Sequence, residues 1–474
     1  MNPPHTANAA PPRVNFQPRI ESDPPMQRFT LRQGRLTHVL EVDGRQMRSQ
    51  LELPADLAAD VDGEDAALLD RWWKAILRGS LPIPERGQPD AGGQPLRIVD
   101  LFSGVGGFVL GVKLLAAEAG KRLVCELAVD TDEAALAVHA RNHGTRRRSA
   151  ESVASLVDYR IRGDGDSAEF VYEPELIGER LQHACADVDL LIAGPPCQGH
   201  SNLNNHSRRN DRRNYLYLAV PAFAVACRAR AVIIENVTSV VHDGAEVVRT
   251  ARRLFETNGY ATDEGVIAAD AMGWPQTRKR HFLVARRIGD AAEAAFPLPI
   301  SDVATMLAAP SARTVTWAIG STESLSTDPA LHVTAEYTAE NLERIEWLFD
   351  NDEYDLALQH RPKSHQAGTT YGAVYGRMHA DRPAPTITTG FNTPGRGRFI
   401  HPNEPRTMTP AEAARLQGFP DTFRFTTDPS APPGKAALAK WIGDAVTMPL
   451  GYAAALSAIG PGLKPCKDGS SASN

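Results

Sequence analysis

Short apolar runs alternate with helical hydrophobic patterns through the middle of the chain. The runs are bounded by turn residues and predict buried strands at residues 98–99, 123–129, 188–193, 231–234 and 281–285. Apolar residues spaced three and four apart predict helices at residues 108–118, 133–142 and 245–258. Because strands that alternate with helices usually form a mainly parallel sheet, we expect an α/β fold with helices on both faces.

The ends of the chain lack this alternation. Residues 1–26 are rich in proline and polar side chains and residues 462–474 are polar, so we expect both segments to be disordered. Residues 27–92 predict a small accessory module of short strands and one helix, which contains Trp72 and Trp73. The sequence assigns no role to this module.

The alternation stops again in the second half of the chain. Residues 93–290 predict the main domain, and residues 291–405 predict a smaller second domain, because proline, aspartate and threonine interrupt its regular patterns. Residues 406–461 return to the main domain. The return begins with a capping box at Thr409 and Glu412, which predicts the start of a helix.

The composition is ordinary for a globular protein, with 42% hydrophobic and 23% charged residues. No apolar run approaches the roughly 20 residues needed to cross a bilayer, and the N-terminus lacks the pattern of a secretory signal. We therefore expect a cytoplasmic, monomeric protein with no membrane partner. The five cysteines are scattered without paired spacing, so neither a disulfide framework nor a metal site is predicted.

The net charge of −6 argues against nonspecific coating of nucleic acid. Binding to a polyanion depends on where positive charges lie, so a local basic groove remains compatible with this charge. Basic residues are indeed clustered, first at Arg208, Arg209, Arg212 and Arg213, and later at Arg278, Lys279, Arg280, Arg286 and Arg287.

Candidate catalytic residues follow two of the predicted strands. Cys197 follows one strand in the segment Gly194-Pro195-Pro196-Cys197, and Glu235 follows the next. The prolines stiffen the loop, and open α/β sheets bind ligands at the carboxyl ends of their strands. A thiol and a carboxylate placed there can provide covalent attack with acid assistance. Taken alone, a free cysteine is more often inert and a glutamate at a strand end is more often solvated.

A glycine-rich turn follows the first strand of the main domain. Residues 100–107 read DLFSGVGG, and glycines there allow the backbone to approach a ligand at the positive end of the next helix. The spacing differs from G-x-G-x-x-G, which disfavours a dehydrogenase. Asp130 ends the second strand, where an acid either binds ribose hydroxyls or caps the following helix.

Six motifs occur in order along the chain: DLFSGVGGF, GPPCQGHS, ENV, QTRKR, RPAPTITTG and GDAVTMPLG. This series resembles the ordered motifs of the DNA (cytosine-5)-methyltransferase family over about residues 97–290 and 371–455. The resemblance implies a Rossmann-like S-adenosylmethionine-dependent methyltransferase sheet with a smaller target-recognition domain at residues 291–405. It also implies S-adenosylmethionine as cofactor and double-stranded DNA as substrate, with a cognate restriction endonuclease as a candidate partner.

The resemblance implies roles for individual residues. Cys197 is expected to be the nucleophile, with Glu235 and Arg278 as the other catalytic residues. The cofactor is expected to contact the glycine turn, later strand ends and the last motif, through Phe102, Gly104, Gly106, Gly107, Asp130, Asp158, Pro195, Asp444 and Val446. DNA is expected to contact a set that includes the first basic cluster: Gln198, Ser201, Arg208, Arg209, Arg212, Arg213, Gln276, Arg280, Arg382 and Thr386.

The chemistry of cytosine is consistent with these roles. Its C5 atom is a poor nucleophile until a thiolate adds at C6, and a proton given to N3 by Glu235 stabilises the charge that develops. Glu235 therefore needs a partly desolvated site, and the Cys197 thiolate needs a nearby positive group such as Arg278. Because a base inside a duplex is unreachable, we expect base flipping.

The last motif departs from the family at two positions, with Asp444 where asparagine is usual and Thr447 where proline is usual. An aspartate adds an acceptor-only charge, so we expect Asp444 to alter cofactor affinity without abolishing it. Two other functions stay open, a tRNA cytosine-5 methyltransferase and a catalytically inactive DNA-binding relative. The sequence determines neither the recognised DNA sequence nor whether the protein is restriction-linked, orphan or phage-borne.

Overall fold

The computed structural model describes residues 26–42, 45–58, 65–84, 94–196, 216–242, 246–289, 297–320, 326, 328–366 and 373–460. Within them the strands are β1 (Met26–Arg32), β2 (Arg35–Val42), β3 (Arg45–Glu52), β4 (Ile83–Pro84), β5 (Leu96–Leu101), β6 (Leu123–Val129), β7 (Arg148–Ser149), β8 (Val157–Asp158), β9 (Ile161–Arg162), β10 (Glu169–Phe170), β11 (Glu175–Leu176), β12 (Leu190–Ala193), β13 (Ala231–Asn236), β14 (Tyr260–Ala268) and β15 (Lys279–Arg287). The α-helices are α1 (Asp65–Leu77), α2 (Gly107–Glu118), α3 (Glu133–His143), α4 (Glu179–Cys185), α5 (Leu216–Ala226), α6 (Val247–Thr257), α7 (Ile300–Met306), α8 (Val315–Ile319), α9 (Ala339–Asp350), α10 (Lys363–Gln366), α11 (Pro410–Leu416), α12 (Lys435–Asp444) and α13 (Met448–Ile459).

A seven-stranded sheet forms the centre of the protein, in the order β14-β15-β13-β12-β5-β6-β7. The strands from β13 to β7 run parallel, whereas β15 lies antiparallel between β13 and β14. The strands and helices predicted in this region are present, so the expected α/β fold is confirmed. β14 was not predicted, because polar residues on its half-exposed surface leave no apolar run.

The central sheet separates two hydrophobic cores. Successive side chains of a strand point to opposite faces, and the burial follows that period. Ile98 and Ile233 face the first core, which includes α2 and α13, whereas Val99 and Ile234 face the second core, which includes α5 and α6. Helices therefore cover both faces of the sheet, as the sequence predicted.

Helices α2 and α13 are in close backbone contact. A side-chain carbon added at Gly111 would lie 2.5 Å from both Gly451 C and Met448 O. Any residue larger than glycine would push the two helices apart. The helix that follows the glycine turn is thereby fixed against the last described helix of the chain.

Contrary to the expectation from the sequence, the stretch Lys435–Ile459, which contains α12 and α13, is long and apolar enough by composition to span a membrane. However, 89% of its apolar window is buried inside the protein. Its hydrophobicity is accounted for by packing, because α13 lies in the first core against α2.

The predicted accessory module is a four-stranded antiparallel sheet, β1-β2-β3-β4, with α1. Its buried residues, such as Phe29 and Trp72, belong to the first core together with α2 and α13. At the boundary, His38 Nδ1 lies 2.6 Å from the buried Glu118 carboxylate, which also accepts a hydrogen bond from the Tyr452 hydroxyl at 2.6 Å. Because a buried charge needs such partners, the module completes a polar site of the main domain.

We expect Tyr452→Phe to destabilise the protein by about 1.5–3 kcal/mol, because the buried Glu118 carboxylate loses a charge-assisted hydrogen bond. Burial and the Glu118 charge raise the pKa of the Tyr452 hydroxyl, which therefore stays protonated as a donor. The measurement is the free energy of unfolding in urea. Tyr172→Phe is the matched control, because the exposed Tyr172 hydroxyl also donates to a carboxylate, that of Asp158. Equal losses in the two variants would contradict the expectation.

The region between β15 and α11 contains helices α7 to α10 in its described residues. α7 and α8 pack on the first core, whereas α9 forms a small separate core with Tyr375 and Ile400. α11 begins with the predicted capping box, in which Thr409 Oγ1 accepts from Glu412 N and Thr409 N donates to the Glu412 carboxylate. The predicted domain boundaries stay predictions.

Candidate active site

The glycine-rich turn begins where β5 ends. Phe102, Gly104 and Gly106 have φ values of 56°, 50° and 88°, in the left-handed region that favours glycine. A side-chain carbon at Gly106 would lie 2.8 Å from His139 Cδ2, so only glycine allows this approach. Ser103 Oγ is buried and has no hydrogen-bond partner among the described residues. The turn is therefore a narrow cradle with an unused polar group at the start of α2, which suits a polar cofactor.

Asp130 links this turn to the end of β6. Its Oδ2 accepts a hydrogen bond from Gly104 N at 2.8 Å, and its Oδ1 accepts one from Asp132 N at 2.9 Å. The cap of α3 is Asp132, which accepts from Ala135 N at 3.1 Å, so the alternative of Asp130 as a helix cap is excluded. A carboxylate oxygen has two acceptor sites, so Asp130 keeps lone pairs for ribose hydroxyls.

Asp158, which was expected to contact the cofactor, does not lie in a strand of the central sheet. Asp130 N donates at 3.2 Å to the carbonyl of Ser149, which ends β7, and Glu151 follows two residues later. Asp158 lies in β8, which pairs with β11 outside the central sheet, and its exposed carboxylate accepts from the Tyr172 hydroxyl. Glu151 therefore follows a strand of the central sheet, whereas Asp158 does not. The sequence did not reveal this strand because β7 has only two residues and no apolar run.

β12 and β13 bring the start of the proline loop, Gly194-Pro195-Pro196, next to Glu235. The two strands are parallel neighbours, so the residues that follow them lie at the same edge of the sheet. A side-chain carbon placed on Gly194 would lie 4.0 Å from Glu235 Oε2 and 3.9 Å from Val446 Cγ2. Asn236 Nδ2 donates to Pro195 O at 3.4 Å, which ties the start of the loop to β13.

Glu235 forms an ion pair within the site. Arg280 Nε lies 2.8 Å from Glu235 Oε1, and the two side chains are only 14% and 10% exposed, respectively. Arg280 extends from β15, the antiparallel neighbour of β13. A strand-end carboxylate is thus held in place by a guanidinium, and its second oxygen lies towards the proline loop.

Gln276 and Arg278 lie inside the protein, which corrects the expectation that Gln276 contacts DNA. Gln276 Nε2 donates to Leu416 O at 2.8 Å, and its Oε1 accepts from Ile387 N at 3.1 Å. Arg278 donates to Ile387 O at 2.9 Å and to Ala445 O at 3.0 Å. Both side chains are buried, so they connect segments of the site from within.

Gln417 and Thr447 complete this internal network, and the sequence did not single out either as a connection. Both are fully buried, and Thr447 Oγ1 donates to Gln417 Oε1 at 3.1 Å. Gln417 Nε2 donates to Ile442 O at 2.6 Å, and Gln276 Nε2 donates to Gln417 Oε1 at 3.1 Å. The threonine that replaces the usual proline therefore has a hydrogen-bonding role. A polar glutamine between apolar neighbours in RLQGF was the available signal.

Residues 443–446 close the site opposite the glycine turn. A side-chain carbon on Gly107 would lie 2.9 Å from both Val446 O and Ala445 Cβ. Gly443 is equally confined, because a side-chain carbon there would lie 2.7 Å from Thr388 O. The predicted cofactor residues of the first and last motifs are thus brought into contact.

Asp444 lies at the end of α12 within this loop. Its carboxylate is 3.6 Å from Lys440 Nζ, and the side chain is 59% exposed. Although solvent reaches the carboxylate, the surrounding protein partly desolvates it and raises its pKa. The positive charges of Lys440 and Arg278 oppose this rise, and the nearby Asp130 carboxylate adds to it. Two carboxylates therefore influence the same part of the site.

The remaining predicted residues lie at the border of the site or outside the described residues. Arg382 is exposed, and its carbonyl accepts from Val315 N at 2.8 Å. Thr386 Oγ1 donates to Thr277 O at 3.1 Å, which joins its segment to the QTRKR motif. The predictions that fall outside the described residues concern Cys197, Gln198, Ser201, Arg208, Arg209, Arg212 and Arg213.

Comparisons with known proteins agree with this geometry. The family profile for C-5 cytosine-specific DNA methylase matches residues 96–459. The chain is 36% identical over 333 residues to Type II methyltransferase M1.BsuMI of Bacillus subtilis, covering 70% of this chain and 74% of that protein. It is 29% identical over 381 residues to Type II methylase M.HgiDII of Herpetosiphon aurantiacus, covering 76% and 94%. The S. pombe Dnmt2 methyltransferase structure shares the fold, with a TM-score of 0.50 and 16% identity over 78% of this chain and 99% of that one. The chain therefore belongs to the C-5 cytosine-specific DNA methylase family.

Proposed function

We propose that the protein methylates C5 of cytosine in double-stranded DNA through a covalent bond between Cys197 and C6, with the target base flipped out of the duplex. Membership of the family makes it a DNA (cytosine-5)-methyltransferase that uses S-adenosylmethionine. The observation that carries the finer proposal is the Glu235–Arg280 pair at the end of β13, beside the loop that leads to Cys197.

Cys197, Glu235 and Arg280 have different roles in the proposed reaction. The Cys197 thiolate forms a bond to C6, and Glu235 places a proton at N3, which makes C5 electron-rich. S-adenosylmethionine supplies the electrophilic methyl group that C5 takes up. Loss of the C5 proton to solvent then expels the Cys197 thiolate, N3 returns its proton to Glu235, and the aromatic ring is restored. Arg280 holds the Glu235 carboxylate at the distance described above and adds positive charge beside the base.

The cofactor is proposed to lie between the glycine turn and residues 443–446. The buried Ser103 hydroxyl without a described partner and the Asp130 carboxylate fit its polar groups. The basic cluster that follows the proline loop is proposed to contact phosphates, which would offset the cost of flipping the base.

Bisulfite sequencing of DNA from cells that express the protein tests this function and reports the recognised sequence. Protected cytosines in one sequence context support the proposal. Methylation of tRNA but not of duplex DNA in a parallel assay would replace it with the tRNA alternative, and no methylation of either would favour an inactive relative. A cognate restriction endonuclease as partner is part of the proposal, supported by the Type II names of the relatives. A cytoplasmic location and a monomeric state are proposed with it.

We expect S-adenosylmethionine to bind more weakly as the pH falls through the raised pKa of Asp444, because protonation removes a charge that attracts the sulfonium cation. Asp444→Asn should bind the cofactor roughly 2–5-fold more weakly at neutral pH, as an attraction at a partly exposed site is worth up to about 1 kcal/mol. Its affinity should lack this pH dependence. The measurement is calorimetry at decreasing pH, from pH 8 down to the lowest pH at which the protein stays folded.

The ion-pair partner of Asp444 provides a control of opposite sign. Lys440→Met removes the positive charge 3.6 Å away and should strengthen cofactor binding. Lys435→Met changes a lysine of the same helix that is paired with Glu336, and it should have no effect. Unchanged affinity in Asp444→Asn would contradict the role given to this carboxylate.

A further inference from the structure

We propose that the outer face of the N-terminal sheet is a second contact surface for the phosphate backbone of DNA. This outer sheet face is formed by the outward side chains of β1, β2 and β3, chiefly Arg28, Thr30, Arg32, Arg35, Thr37 and Arg48. It lies outside residues 96–459, which match the family. The proposal rests on DNA as the substrate of the enzyme.

The outer sheet face is set apart by the alternation of its strands. Phe29, Leu36 and Leu40 point inward to the first core, so the intervening residues of β1 and β2 point away from it. The outward side chains line a groove of about 490 Å³, and most of them are arginine, threonine or glutamine. Such a surface offers hydrogen-bond donors to an anionic partner.

The strand register places the arginines in two rows. Arg28 and Arg48 are both opposite Val39, and Arg32 is opposite Arg35. Positions 28 and 32 are four residues apart on one strand, so the rows are separated by about 14 Å. A row with Thr30 opposite Thr37 lies midway between them. The two arginine rows, about 14 Å apart, can therefore contact separate phosphates of a DNA backbone.

Stability does not account for this arrangement. Arg32 and Arg35 are directly opposite each other, and like charges in that position destabilise a sheet. Glu52 lies 3.5 Å from Arg35, but both side chains are well exposed, so the pair is worth little. Glu41 is the acid at the other end of the face, and it accepts a hydrogen bond from Gln46. Positive charge therefore exceeds negative charge on this face, in a chain whose net charge is −6.

The same strands are anchored to the main domain. His38 of β2 and Ser49 of β3 both contact the buried Glu118 carboxylate, at 2.6 and 3.4 Å. The arginines are thus carried by a sheet that shares its core with α2, and a phosphate bound there is held at a fixed position relative to the catalytic part. Arginine suits this role because its guanidinium matches phosphate geometry.

The test compares the double variant Arg28→Gln/Arg32→Gln with the control Arg180→Gln/Arg253→Gln. The control removes two exposed arginines from α4 and α6, which cover the opposite face of the central sheet. The probe is a fluorescein-labelled 40-base-pair duplex of random sequence, titrated from low to moderate salt. We expect the slope of log Kd against log salt to fall by about 2 in the double variant, one per lost phosphate contact. The control variant should keep both the wild-type slope and the wild-type kcat on saturating plasmid DNA.

Three results would overturn the proposal: an unchanged slope in the double variant, an equal change in the control, or tighter binding of the face to duplex RNA or anionic vesicles than to DNA. Circular dichroism melting verifies that each variant is folded. Because the salt titration measures binding alone, its result can be separated from the test of methyl transfer. A protein that shows the predicted slope but methylates no DNA would refute only the catalytic proposal.

Discussion

Cys197→Ala is expected to abolish methyl transfer while duplex DNA still binds. Without the thiolate no bond forms to C6, so C5 keeps its low reactivity, and kcat should fall by at least about 10⁴-fold. The measurement is transfer of a tritiated methyl group from S-adenosylmethionine to plasmid DNA. Cys227→Ala is the matched control. Burial raises the pKa of its thiol, and the residue lies in the second core, so activity should persist.

A covalent trap gives the same prediction a second readout. DNA in which cytosine is replaced by 5-fluorocytosine cannot lose its C5 substituent as a proton, so the thiolate cannot be expelled and the adduct remains on the protein. The wild type and Cys227→Ala should form a crosslink that survives denaturing electrophoresis when S-adenosylmethionine is supplied. A crosslink in Cys197→Ala would show that another residue is the nucleophile.

Gly443→Ala is expected to impair the proposed cofactor site. The added carbon would overlap the backbone of Thr388 and Thr389, and it would lie 2.7 Å from Thr388 O. Backbone cannot rotate away, so residues 443–446 must shift relative to the TITTG segment. Overpacking of this kind costs about 1–3 kcal/mol of stability, and misplacement of the loop should lower kcat/KM by about 100-fold.

Gly434→Ala is the matched control, because it makes the same change at the other end of α12. Apart from its chain neighbours, no atom of the described residues lies within 4 Å of the carbon that it adds. Glycine is only a moderate helix cap, so the cost should stay below about 1 kcal/mol, with cofactor affinity unchanged. Calorimetry with S-adenosylmethionine and thermal unfolding of both variants decide the matter. If Gly443→Ala and Gly434→Ala bind S-adenosylmethionine equally well, the contact between the last motif and the TITTG segment has no role in cofactor binding.

The sequence predicted those parts of the fold that depend on local signals. The capping box at Thr409 formed as expected, because its two residues are three apart and bond each other. Glu235 was correctly placed at a strand end beside the proline loop, since parallel strands end at the same edge. By contrast, β14 was missed, because one side of it faces solvent and interrupts the apolar pattern.

Local signals in the sequence could not predict contacts between residues that are far apart along the chain. Glu235 and Arg280 meet only because β15 runs antiparallel beside β13, and no spacing in the sequence encodes that pairing. The motif QTRKR suggested a DNA-binding surface, yet Gln276 turns inward to Leu416, which lies 140 positions away along the chain. A residue predicted to face the substrate can instead lie inside the protein, because buried carbonyl groups accept its hydrogen bonds as well as a substrate does.

The close packing of α2 against α13 has a consequence for biosynthesis. Gly111 can approach Gly451 and Met448 only after α13 has left the ribosome, more than 300 residues behind α2. The nascent chain must therefore carry α2 without its packing partner until α13 has been synthesised. A chain released before that point lacks the contact that fixes the helix after the glycine-rich turn.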